Sequence, residues 1–361
     1  MKIGIIGGGQ LGRMLALAAY PLGVLPVFYE QTPDTCAGQV GPVIGGRFDD
    51  HEALAAFAAS VDVVTFDWEN VPVDSVRPLS GHARVAPPAL ALEQSQDRLA
   101  EKNLFTRLKI PTPGYAAVDS RDDLDRAIAR LGLPGVLKTR RFGYDGKGQA
   151  VLRSARDVER GFTALAGQPL IYEQFVPFER EVSLVSVRAR NGETRDYPLA
   201  ENVHESGILA VSSAPYTDPR LARQAAKYVH RLQEAMRYVG VLAVEFFVHE
   251  GRLIANEMAP RVHNSGHWTI EGAVTSQFEN HVRAIAGLPL GDTRPTGHSV
   301  MVNFVGRMPR RDVVLALPGV HLHDYGKAPR PGRKLGHATA VMPTVAARAR
   351  VRRTLLSLRR T

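Results

Sequence analysis

The sequence predicts a chain of mixed α/β and α+β architecture in three parts, and three observations carry that expectation. A strand–glycine turn–helix unit opens the chain. An apolar hairpin in the second half runs into a dense polar stretch. And 361 residues, 44% of them hydrophobic, are long for one core yet apolar enough to fill two or three. The expected parts are residues 1–97, residues 98–292 with a lid at about 138–177, and residues 293–361. Pro87-Pro88 punctuates the first boundary and Leu288-Pro289-Leu290 closes the second part.

In the first part, residues 2–6 read as a short buried strand. Gly7-Gly8-Gly9-Gln10-Leu11-Gly12 and an Ala/Leu-rich helix to about Ala19 follow. This is G-x-G-x-x-G between strand and helix, a Rossmann-like unit whose backbone N–H groups can receive a phosphate at a helix N-terminus. Residues 24–30 supply a second strand ending in Glu30, where a dinucleotide fold would hold a ribose hydroxyl. Alone, this stretch suggests an NAD-dependent dehydrogenase. A further strand at 61–66 delivers Asp67-Trp68-Glu69-Asn70 to a carboxyl end, where open α/β sheets bind ligands.

In the second part, residues 95–102 open a helix with Leu99, Leu104 and Leu108 on its apolar side, stopped by Pro111-Thr112-Pro113. Ser120 caps another helix, with Asp122 and Asp123 in its first turn. A strand then ends in Lys138 and enters a loop with Arg140, Arg141, Gly143, Tyr144, Asp145, Gly146, Lys147, Gly148 and Gln149. Glycines permit close backbone approach to a polyphosphate, and the cations offset its charge. Residues 170–176 and 179–185 read as strands with acids at their rims, and His204 as part of a polar loop within 197–207.

The most informative stretch is the hairpin. Residues 240–248 form a buried strand carrying one acid, Glu245, and residues 253–257 return to Asn256-Glu257. A three-residue loop centred on Gly251 would set Glu245 opposite Glu257, and a two-residue turn would set it opposite Asn256. Two carboxylates and an amide oxygen around one point suit Mg²⁺, a hard cation that leaves room for substrate phosphates. Beyond them stand Pro260, Arg261, Val262, His263, Asn264, Ser265, Gly266, His267, Trp268 and Thr269, more polar groups than a core can use. After a helix at 276–285, the last part carries a strand at 299–305. It then reaches a basic Gly/Pro turn, Arg330-Pro331-Gly332-Arg333-Lys334, read as a phosphate site.

Composition excludes several classes. A single cysteine, Cys36, rules out a disulfide framework or a Cys-rich zinc site and suits a reducing cytoplasm. No run approaches the ~20 apolar residues of a membrane span. The net charge of +9 is local: ten Lys and Arg follow Asp324 with no acid among them, leaving 35 basic against 36 acidic residues up to and including it. Ala347, Val351, Leu355 and Leu358 form one stripe of a terminal helix, so the arginines coat its exposed face and no nucleic-acid partner is expected.

Together, the glycine turn, residues 142–149, Asn256-Glu257, residues 260–269 and residues 330–334 resemble the ATP-grasp superfamily. Within it they resemble the carboxylating ligases of purine biosynthesis, over nearly the whole chain. The resemblance implies an ATP-grasp central domain and ATP and Mg²⁺ as cofactors. It implies 5-aminoimidazole ribonucleotide and bicarbonate as substrates, and a homodimer. By resemblance, Arg98, Lys138 and the loop Gly143, Tyr144, Asp145, Gly146, Lys147, Gly148 and Gln149 would meet the ATP phosphates. Glu173, Gln174, Phe175 and Val176 would lie beside adenine, Glu181 on ribose, and His204 and Asn256 in the nucleotide site. Glu245 and Glu257 would bind the metal. Tyr144, Asp145, Arg261, His263 and Asn264 would surround bicarbonate and the aminoimidazole, Arg261 as a two-pronged carboxylate clamp. His263, as a near-neutral imidazole, or Asp145 would accept the amine proton. Gln10, Leu11, Glu69, Arg333 and Lys334 would hold the ribonucleotide, the last two at its phosphate. Trp68 departs from the expected pattern. Another ATP-grasp ligase, such as a formate-dependent glycinamide ribonucleotide transformylase or a biotin carboxylase, would share the nucleotide residues but differ at 261–269.

Overall fold

The computed structural model describes residues 1–32, 34–143 and 146–359. The opening residues build a five-stranded parallel sheet in the order Val43–Gly45, Leu25–Glu30, Lys2–Ile6, Val63–Phe66, Arg84–Val85. Its central strands, Lys2–Ile6 and Val63–Phe66, are apolar on both faces, as a parallel sheet covered by helices requires. The chain reverses direction of winding between Lys2–Ile6 and Val63–Phe66, which pair directly, Ile6 beside Phe66. The glycine turn and Asp67–Asn70 therefore emerge side by side at the switch point.

A second, four-stranded antiparallel sheet runs Tyr115–Val118, Leu170–Gln174, Gly135–Thr139, Gln149–Leu152. Helices Arg121–Leu131 and Ala155–Leu165 cover it, capped by Ser120 and Ser154, each accepting from the N–H three residues on. This unit begins at Tyr115, well before the expected lid start at 138. The strand at 115–118 is too short and mixed to announce itself, and only pairing with residues 170–173 makes it one.

The third sheet has nine strands, eight of them in the order Arg252–Ala259, Gly240–His249, Arg180–Arg188, Ala200–Glu205, Ile208–Ala214, His298–Val305, Lys334–Met342, Val320–Asp324. Thr194–Asp196 pairs with Arg180–Arg188 off this path. His204 thus sits on a strand, not in a polar loop; on that strand Ala200 and Asn202 alternate inward. The C-terminal strands extend the central sheet through Val211↔Val302 and its neighbours, so the last part shares its sheet with the middle one. Strand Lys334–Met342, missed in the sequence because Gly, His and Thr interrupt its apolar run, is buried from Leu335 to Ala340. Helix Val345–Leu358 lays Leu355 onto this sheet. No helix among the described residues is long and apolar enough to cross a membrane.

Candidate active site

Two clefts meet at the hairpin. The smaller, about 260 Å³, lies between the four-stranded and nine-stranded sheets. Lys138, Gly146, Gln149, Glu173, Gln174, Phe175, Val176, Glu181, His204, Glu245, Asn256 and Glu257 all line it. The larger, about 740 Å³, opens toward the first domain and is lined by Gln10, Leu11, Glu69, Gly143, Lys147, Arg261, His263, Asn264, Arg333 and Lys334, among others. Arg98 and Glu257 line both. Of the glycine-rich stretch, Gly143 and Lys147 line the larger cleft and Gly146 and Gln149 the smaller, with Gly146 and Gly148 at φ of 76° and 68°, a left-handed conformation that favours glycine. Tyr144 and Asp145 lie outside the described residues.

The hairpin register combines both expectations. The turn is the two-residue one, Glu250-Gly251, both left-handed (φ 49° and 65°), with His249 opposite Arg252. Pairing continues to Phe246 opposite Ala255, then skips Asn256, and Glu245 faces Glu257. This β-bulge puts both carboxylates on one face of the sheet. Burial raises the pKa of Glu245, and Glu257 adds to the rise. Against its own burial, Glu257 is held low by Arg98, whose Nη1 donates to it at 3.0 Å. Glu245 Oε1 and Asn256 Oδ1 are buried without a hydrogen-bond partner among the described residues. Two orphaned hard oxygens beside a second carboxylate fit Mg²⁺.

Lys138 Nζ donates to Glu173 at 2.9 Å, and the same carboxylate lies 3.5 Å from Lys102 Nζ. Burial lowers the Lys138 pKa, with Arg98 and Lys102 adding to the fall. Glu173, flanked by two ammoniums, is held down to about 2 despite its burial. Both lysines meet its Oε2, and its Oε1 is buried without a hydrogen-bond partner among the described residues. His204 Nδ1 lies 2.8 Å from Glu181; burial alone would lower its pKa, but that hydrogen bond and the charge of Glu245 push it up to about 9.

In the larger cleft, Arg261 gives its Nε–H to Glu69 and one Nη1–H to the Val262 carbonyl. Asn264 is reciprocally paired with Asn303 at 2.7 and 3.1 Å, which fixes the orientation of its amide. His263 differs most from expectation. Burial, then Arg261 and Lys334, push it down to about 3, and its Nδ1 accepts the Ser265 N–H, leaving the ring proton on Nε2. It is a neutral donor rather than a near-neutral base. Gln277, unremarked in the sequence, clamps both backbone groups of His263.

The glycine turn is filled by the protein itself. Asp67 Oδ2 accepts from Gly9 and Gly12 at 2.7 and 3.0 Å, and Glu30 accepts from Gly8 at 2.8 Å. Burial pushes Asp67 up to about 6. The N–H groups a dinucleotide pyrophosphate would need are thus spent, which removes the basis of the dehydrogenase reading. Gln10 instead meets Lys327 across the larger cleft.

Two sheets gripping a cleft with an inward lysine on one and paired carboxylates on the other make this an ATP-grasp protein. The ATP-grasp domain family matches residues 103–278, the ribonucleotide synthetase preATP-grasp domain 1–96, and the phosphoribosylaminoimidazole carboxylase C-terminal domain 299–350. The N5-carboxyaminoimidazole ribonucleotide synthase of Pseudomonas aeruginosa is 56% identical over 94% of both chains. That of Brucella melitensis is 47% identical over 94% of this chain and 96% of its own. The crystal structure of the Thermus thermophilus synthetase superposes with a TM-score of 0.94 at 52% identity, covering 99% of this chain and 98% of that one. An Aspergillus clavatus synthase in complex with ADP and 5-aminoimidazole ribonucleotide gives 0.93 at 29% identity, covering 99% and 98%. The chain belongs to the N5-carboxyaminoimidazole ribonucleotide synthase family.

Proposed function

We propose that the chain catalyses the ATP-dependent carboxylation of 5-aminoimidazole ribonucleotide by bicarbonate, giving the N5-carboxylated product, ADP and phosphate in purine biosynthesis. The observation that carries this reading is the junction of a nucleotide-sized and a ribonucleotide-sized cleft at Arg98 and Glu257. A bicarbonate oxygen attacks the γ-phosphorus and ADP leaves. The carbonyl carbon of the resulting carboxyphosphate, or the CO₂ it releases, then takes the substrate amine, which gives up a proton. Positioning and electrostatics carry most of such a transfer. In this reading Lys138 and Arg98 face the transferring phosphate, Arg261 orients the carboxylate, and Arg333 and Lys334 take the 5′-phosphate. Glu245 and Glu257, with Asn256, hold Mg²⁺, which when bound offsets phosphate charge. The glycine loop over both rims excludes water while the intermediate crosses.

The test is ADP release from ATP with Mg²⁺ and bicarbonate. Strong stimulation by 5-aminoimidazole ribonucleotide, and none by glycinamide ribonucleotide or biotin, is expected; turnover indifferent to the aminoimidazole would refute the assignment. A homodimer is part of the same reading, checked by light scattering.

A further inference from the structure

Strand Arg252–Ala259 is the edge of the nine-stranded sheet, so one row of its backbone groups has no partner strand. It also carries the bulge. Had the pairing run on unbroken from Phe246 opposite Ala255, Glu245 would face Asn256, and Glu257 would face Val244, on the other side of the sheet. The one-residue slip brings Glu257 onto the face of Glu245. A bulge breaks ladder hydrogen bonds, and on an edge strand nothing in the sheet restores them.

Side chains do so here. Lys102 Nζ donates to the Asn256 carbonyl at 2.6 Å, and Glu101 Oε1 accepts the Met258 N–H at 2.7 Å. These contacts bracket Glu257. Just before the bulge, Ala255 gives its N–H to the Pro111 carbonyl at 2.7 Å and accepts the Thr112 hydroxyl on its own carbonyl at 3.1 Å. Glu101 and Lys102 are almost fully buried (2% and 1% exposed), unusual for such residues and far more than a solvated helix face allows. They share a stripe of helix Arg98–Arg107 with Arg98, at spacings of three and four, and Arg98 holds the Glu257 carboxylate itself. One helix therefore grips residues 256–258 at a carbonyl, a carboxylate and an N–H.

We propose that Glu101 and Lys102 are positioning residues that hold the Asn256 bulge in register and so set the spacing of Glu245 and Glu257 for a divalent cation; this rests on the metal reading given above. Neither needs to touch nucleotide or cation. Glu101 acts as a backbone acceptor, so an amide can replace it; an aliphatic side chain cannot.

The experiment is calorimetric titration of ADP into the full chain, with and without Mg²⁺, for wild type, Glu101→Gln, Glu101→Leu and Lys102→Met. In Glu101→Leu and Lys102→Met, the Mg²⁺ concentration that half-saturates the gain in ADP affinity should rise roughly 10-fold or more, the scale of lost outer-shell support at metal sites. ADP affinity without Mg²⁺ should stay close to wild type in Glu101→Leu, which a general loosening of the cleft would not allow. Glu101→Gln should keep the wild-type Mg²⁺ dependence. Unchanged Mg²⁺ dependence in Glu101→Leu and Lys102→Met overturns the proposal, as does a Glu101→Gln variant as impaired as Glu101→Leu. Should Lys102→Met fail to fold, Glu101→Leu still decides; should Glu101→Leu fail, Lys102→Met decides through its ADP affinity without Mg²⁺, which falls if the lost Glu173 pairing is the cause and holds if the freed Asn256 carbonyl is. A wild type whose ADP affinity gains nothing from Mg²⁺ would sink the metal reading itself, and this inference with it.

Discussion

Glu173→Gln should destabilise the protein by about 3 kcal/mol at neutral pH. The carboxylate is 2% exposed and lies between Lys138 at 2.9 Å and Lys102 at 3.5 Å. Although burial opposes its charge, the two ammoniums hold it down to about 2 from an ordinary 4.5. A displacement of that size corresponds to about 3 kcal/mol, at the lower end of the roughly 3–5 kcal/mol lost when one partner of a buried pair is removed. The pH dependence has a definite sign. A carboxylate depressed in the folded state contributes its stability fully above about 4.5 and loses it as pH falls toward 2. Urea denaturation of wild type and variant at pH 7 and pH 3 measures both effects. The wild-type advantage should shrink to roughly half or less at pH 3. A cost below about 1 kcal/mol at pH 7, or one that pH leaves unchanged, would refute the placing of Glu173 as the keystone of the two lysines.

Three further outcomes are expected. Arg261→Ala should lose at least ~3 kcal/mol of transition-state stabilisation in kcat/KM for the ribonucleotide, the scale of one oxyanion donor; near-native turnover would remove its role. Arg333→Ala should raise KM for the ribonucleotide about tenfold, as a lost charge-assisted phosphate contact would, while leaving KM for ATP unchanged in steady-state kinetics. His281 is buried, accepts the Val241 N–H on Nδ1 and meets Thr65 through Nε2; burial pushes it down to about 3. Because the unfolded ring protonates near 6.5 and the folded ring does not, stability falls as pH drops below 6.5. Between pH 6.5 and 5.5 wild type should lose about 1 kcal/mol more than His281→Gln in denaturant titrations.

The site was legible where chemistry clusters along the chain. Glu245, Asn256, Glu257, Arg261 and His263 announce themselves because one hairpin and the few residues after it carry them all, and Lys138 stands out at a strand end before glycines. Glu101 and Lys102 did not, because a charged pair on a helix ordinarily marks its solvated face, and the leucines beside them drew the apolar side elsewhere. Their spacing from Arg98, three and four residues, was the available signal. Asp67 was visible as a strand-end acid, yet nothing local says that it turns back onto the glycine turn; the adjacency of two parallel strands decides that. His263 was read by its ordinary pKa, and burial, invisible from sequence, overrode it.

The amino-acid sequence by itself determined the α/β opening, the hairpin and the confinement of the positive excess to the tail, because these depend on period, composition and local spacing. Tertiary structure decided the rest. The two-residue turn alone would set Glu245 opposite Asn256; a bulge held from a neighbouring helix sets it opposite Glu257. The C-terminal strands join the central sheet through hydrogen bonds to residues 211–214, a pairing no local pattern encodes. Register and ionisation both depend on which distant groups come to lie alongside a residue, and only the packed chain brings them there.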